Sequence, residues 1–124
     1  MFAEASTTEP KGLTAEQVAA FERDGYLVVG DVLSPAILEA LHAEYSTLMD
    51  RLYDGWSAEG RVPPVAALDF WSKLSTAYAA GCDWFQPMDC SLPGDRVTAE
   101  TPMHFGPAAF DMITHPKLLD IVES

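Results

Sequence analysis

Hydrophobic and polar residues alternate along this chain in a few separable patterns, and each pattern predicts an element. In residues 13–24 (LTAEQVAAFERD), Val18 and Phe21 mark one side of a helix. Thr14 is a good N-cap, and Gln17, three positions on, completes a capping box, with Leu13 and Val18 able to staple across it. Asp24-Gly25 ends that helix, because glycine takes the left-handed position after a C-terminus without a Cβ clash. Tyr26-Leu27-Val28-Val29 is an apolar run between two glycines, too short for a useful helix, and predicts a strand covered on both faces. Ser34-Pro35 opens a second helix, with Ser34 as N-cap and Pro35 at the first helical position. Ile37, Leu38, Leu41, Tyr45, Leu48, Met49 and Leu52 form a stripe about 120° wide, which needs a large surface to pack on. This helix is expected to run to Leu52, about 18 residues or about 27 Å.

Residues 53–64 predict a loop, punctuated by Gly55, Gly60 and Pro63-Pro64. A third helix is predicted over 65–80, with Leu68, Trp71, Leu74 or Ser75, and Tyr78 on one face and Gly81 as its cap. Residues 82–105 carry neither period and are broken by Pro87, Pro93 and Pro102, so they read as a loop with one short strand near 96–98. Two short helices, 107–113 and 116–123, each start on a proline, and Pro116 pushes His115 out of the α region between them. Residues 1–12 have no period and read as a flexible tail.

Composition narrows the classes. The chain has 124 residues, about one domain, and 48% hydrophobic content, ordinary for a globular protein. Nineteen acidic against 7 basic residues give a net charge of -12, which argues against nucleic acid or an anionic membrane as a partner, since both reward Lys and Arg. No apolar run approaches the roughly 18 residues that span a bilayer, and the N-terminus lacks the basic and apolar regions of a signal peptide. Two cysteines, Cys82 and Cys90, are too few for a disulfide framework and read as buried small hydrophobes. A soluble, reducing, cytoplasmic setting is the expectation.

Candidate chemistry is sparse. His42-Ala43-Glu44 matches His-x-Glu as a string, but two residues apart on a helix point away from each other, so His42 reads as helix surface. His104 has no carboxylate two residues on, and His115 sits at a helix end. No nucleophile elbow, P-loop or dinucleotide fingerprint occurs. The acidic positions Asp83, Asp89, Asp95 and Glu100 read as a solvated loop. The middle third is rich in aromatic residues and methionine. Core packing explains much of it, and a second reading makes Trp71, Trp84, Phe85, Met103 and Phe105 the wall of an apolar substrate pocket.

In the order LTAEQVAAFERDGYLVV then DVLSPAILEAL, the chain resembles the N-terminal entry of the phytanoyl-CoA dioxygenase family, which are iron(II)/2-oxoglutarate oxygenases. At the other end, FDMITHPKLLDIVES looks like the helix–proline–helix leading into that family's barrel. The resemblance covers about half the chain, at its two ends; residues 53–106 do not match residue by residue. It implies a double-stranded β-helix, or jelly-roll, braced by N-terminal helices. These 124 residues would then be α+β and mostly helical, the barrel largely missing, with 13–124 forming the first part of one oxygenase-like domain. The implied activity is iron- and 2-oxoglutarate-dependent hydroxylation of a small organic substrate, apolar if the aromatic middle lines its pocket. The family's His-x-Asp and distal His follow the segment matched here. No catalytic, metal or cofactor residue is therefore carried onto this chain, which is expected to be truncated before the metal motif, to bind neither iron nor 2-oxoglutarate and to be inactive alone. The alternative is a small helical binding or adaptor domain without catalysis.

Overall fold

The computed structural model describes residues 11–64 and 68–124. The tail predicted for 1–12 therefore lies almost wholly outside the described residues. Helices α1 (Ala15–Asp24), α2 (Pro35–Ala58), α3 (Phe70–Ala79), α4 (Phe85–Met88), α5 (Pro107–Ile113) and α6 (Pro116–Val122) follow one another, and no strand forms among the described residues. The protein is thus mostly helical.

Locally encoded helix starts appear as the sequence dictates. Thr14 Oγ1 accepts from Gln17 N and Gln17 Oε1 accepts from Thr14 N, a closed capping box at α1. Gly25 takes φ 78° at the other end. Ser34 caps α2 with Pro35 in its first turn. Pro107 and Pro116 likewise sit in the first turns of α5 and α6.

Four expectations are corrected. First, α2 does not stop at Leu52 but runs 24 residues to Ala58, straight through Gly55. An interior glycine costs roughly 1 kcal/mol. Tyr53 and Trp56 extend the stripe from Met49 and are buried, which offsets that cost several times over. Second, residues 26–29 form no strand. A strand needs a neighbour to take up its backbone groups, and Tyr26 and Val28 stand 70% and 84% exposed. Third, α3 begins at Phe70, where Asp69 accepts from Ser72 N at 2.8 Å as its N-cap; Leu68 precedes the helix, and 65–67 lie outside the described residues. Fourth, the strand expected near 96–98 is absent, and Thr98 instead bonds within a turn to Thr101 Oγ1.

One core holds the molecule. Met49, Tyr53 and Trp56 of α2 pack with Val62, Ala77 and Cys82, flanked by Leu52, Leu74, Trp84 and Met88. Tyr53 keeps its hydroxyl satisfied by donating to Pro63 O at 3.0 Å, so the buried phenol has a partner. Lys73 of α3 lies 2.6 Å from Asp50 and 5.7 Å from the Tyr53 ring centroid, fastening α3 beside α2. By contrast, α1 has no buried residue. Among the described residues, one long-range hydrogen bond ties the segment just before it, Leu13 N to Ser124 Oγ at 2.8 Å, and Ser124 Oγ itself donates to Asp120 O of α6.

Candidate functional site

The polar focus of the structure is a carboxylate in the middle of α2. Glu44 lies one turn before the buried Leu48 and faces the start of α5. Its Oε2 accepts from Ala108 N at 2.7 Å, and its Oε1 accepts from Ala109 N at 3.2 Å. It thereby satisfies two of the amides that a helix N-terminus leaves free, from 64 and 65 residues away. The same Oε1 stands 2.7 Å from His104 Nε2. An ionised carboxylate only accepts, so Nε2 carries the proton in this contact.

Both side chains are nearly enclosed, His104 at 9% and Glu44 at 14% exposure. Burial alone would push the Glu44 carboxyl up. The bonds from His104 and from the two α5 amides outweigh it together and hold the group below its ordinary value. Gly106 makes the fit possible: a Cβ there would overlap the Glu44 carboxylate and the His104 ring.

A second ring of contacts fixes the loop that carries His104. His104 N donates to Asp89 O at 2.8 Å, and Gln86 Nε2 reaches Pro102 O at 3.1 Å. The Tyr45 ring lies against the His104 imidazole with centroids 4.7 Å apart. Tyr45 Oη donates to Met88 O at 3.1 Å and touches Cys90 Sγ at 3.5 Å. Burial, and after it the contact with Cys90, pushes the Tyr45 phenol well above its usual range, so it remains a donor.

Between α2 and this loop lies a cavity of about 640 Å³, lined by Glu44, Thr47, Leu48 and Arg51 on one side and Met103 and Phe105 on the other. Of the residues expected in a pocket wall, the structure brings Met103 and Phe105 to this cavity. Trp84 packs on the core, while Trp71 and Phe85 are exposed elsewhere, Trp71 edge-on to Phe70 and Phe85 edge-on to Trp84. His42 is at the surface, 5.7 Å from the Phe70 ring, and His115 precedes α6 with its Nδ1 buried and unpartnered.

The chemistry these groups can perform is limited. Among the described residues no three His, Cys, Asp or Glu side chains are placed to hold a metal ion. The Glu44–His104 pair supplies two side chains able to ligate a metal, but they are engaged with each other, and Glu44 also with the α5 amides. Cys82 is buried as expected but Cys90 is exposed; it lines a smaller cavity of about 170 Å³ with His104, yet its sulfur contacts Tyr45 Oη rather than the imidazole, so no activated nucleophile is formed. What the arrangement does is fix the Met103–Phe105 wall against α2. Sequence reasoning missed Glu44 as its anchor. The available signal was a carboxylate one turn from Leu48 and Leu41, on the apolar side of a long helix.

Comparison with family models, with curated proteins and with solved structures gives no match. Among the described residues no helix is long and apolar enough to cross a membrane.

Proposed function

We propose that this chain is the N-terminal helical part of a non-haem iron(II)/2-oxoglutarate-dependent dioxygenase of the phytanoyl-CoA dioxygenase type, bracing a jelly-roll barrel and lining one side of the pocket for a small organic substrate. The reading rests on the resemblance of FERDGYLVV, DVLSPAILEAL and FDMITHPKLLDIVES to that family. The observation that carries it is the uncovered apolar surface around the same segments. Phe21, Tyr26, Val28, Leu38, Ile113 and Val122 are all exposed, and among the described residues no strand pairs with 26–29. Such a surface is what a brace presents to a missing sheet. No step of the oxidation is assigned to residues of this chain, because among the described residues none forms a metal-holding set.

The test is 2-oxoglutarate consumption with added iron(II), measured for the 124-residue chain and for the product of the gene's whole reading frame. Turnover by the whole product and not by the chain is expected. A whole product that consumes no 2-oxoglutarate contradicts the reading, as does turnover by the chain alone.

The closed core of Met49, Tyr53, Trp56 and Ala77 favours a second reading, a self-standing helical adaptor. A sharp, cooperative thermal transition of the chain supports it. A broad transition with dye binding supports the brace.

A further inference from the structure

The cavity beside α2 has a polarity of its own. Ala43, Glu44, Thr47, Leu48 and Arg51 line it along one face of the helix. Arg51 follows Glu44 by seven positions, about 10 Å along the axis. The Glu44 end is closed, since both carboxylate oxygens are engaged by His104 and the α5 amides. The Arg51 end is open: its side chain is exposed and, among the described residues, makes no ion pair. Between the ends, Leu48, Met103 and Phe105 give an apolar floor and wall, and Phe105 is 85% exposed over it. A groove with a guanidinium at its open end and an apolar middle matches an amphipathic anion.

We infer that this groove binds a small apolar monocarboxylate, its carboxylate on Arg51 and its alkyl or aryl part against Leu48, Met103 and Phe105. Guanidinium matches carboxylate in a planar, two-bond geometry. A ligand headgroup at Arg51 lies about one Debye length from Glu44 at physiological salt, so that charge opposes binding only weakly. The cavity, at about 640 Å³, is within the range of small-molecule sites. The inference stands on α2 and the 103–105 wall alone and holds whether or not the chain belongs to an oxygenase.

Amide chemical shifts of the full 124-residue chain, titrated with octanoate, octanol and octylammonium, test it. Octanoate should move Thr47, Leu48, Arg51, Met103 and Phe105 together and bind more tightly than octanol. Arg51→Gln, at an exposed position without an ion pair, should fold normally and weaken octanoate roughly two- to fivefold, the worth of an exposed charge pair, while leaving octanol unchanged. Phe105→Ser should weaken both. Octanol or octylammonium binding as well as octanoate, an unchanged octanoate affinity in Arg51→Gln, shifts confined to another surface, or no shift by about 10 mM each overturns the inference. None of these outcomes bears on 2-oxoglutarate turnover, so the two readings fail separately.

Discussion

The two halves of α2 behave as parts of different structures. From Leu48 to Trp56 the helix is core: Leu48, Met49, Tyr53 and Trp56 are buried, with α3 and the 62 and 82 positions closing around the last three. From Pro35 to Leu41 the same stripe continues, yet Leu38 is half exposed and nothing buried lies on it. The neighbouring α1 and residues 26–29 share that fate. Equal hydrophobicity on one continuous helix therefore has unequal consequences. Burial follows from having a partner within reach, and the N-terminal half is only partly covered by one among the described residues. Glu44 stands at the boundary and joins the two halves to α5.

Substitutions in the closed half break this comparison most sharply. Trp56→Ala removes a buried ring and should cost about 3–5 kcal/mol in urea unfolding. Val28→Ala or Tyr26→Ser should stay within about 0.5 kcal/mol, as exposed positions do. Similar losses at both sites would mean that the halves form one cooperative core.

At the boundary, Gly106→Ala forces a methyl group into the Glu44–His104 contact. The expected loss is about 1–3 kcal/mol, typical of overpacking, with faster amide exchange at Ala108 and Ala109. An unchanged exchange rate there would show that α5 does not depend on Glu44.

The same carboxylate gives a pH dependence. Its pKa in the folded chain lies below the ordinary 4.5, so its contribution is full above the unfolded value and is lost as pH falls through the folded one. The difference in melting temperature between the wild type and Glu44→Gln should therefore be largest near neutrality and shrink in acid below the usual carboxylate range. A difference that grows on acidification contradicts the assignment. Smallest of all, Lys73→Met removes the Asp50 contact, which is exposed on the acid's side. It should cost about 0.2–1 kcal/mol, less in high salt.

What was legible in the sequence divides along the same physical line. The Thr14–Gln17 box, the Ser34 cap and the prolines of α5 and α6 are set by neighbours three residues away or fewer, and all appear. Gly55 reads as a break because local propensity is all a sequence window contains, and the burial of Tyr53 and Trp56 that overrides it depends on Ala77 and Val62. The run 26–29 has the composition of a strand, but pairing is a property of two segments, and among the described residues no second one pairs with it. Glu44 and His104 are 60 residues apart, so their contact lies beyond any spacing argument. Of the aromatic wall, Met103 and Phe105 reach the cavity because their loop is held by Gln86, Asp89 and Glu44, contacts equally non-local.

Amide hydrogen exchange of the chain, resolved by residue, tests the division of α2 most directly. Amides from 49 to 58 and in α3 should exchange only through global unfolding, whereas those of α1 and the first turns of α2 should exchange through cheap local opening. Equal, high protection across α1 and both halves of α2 would contradict the account.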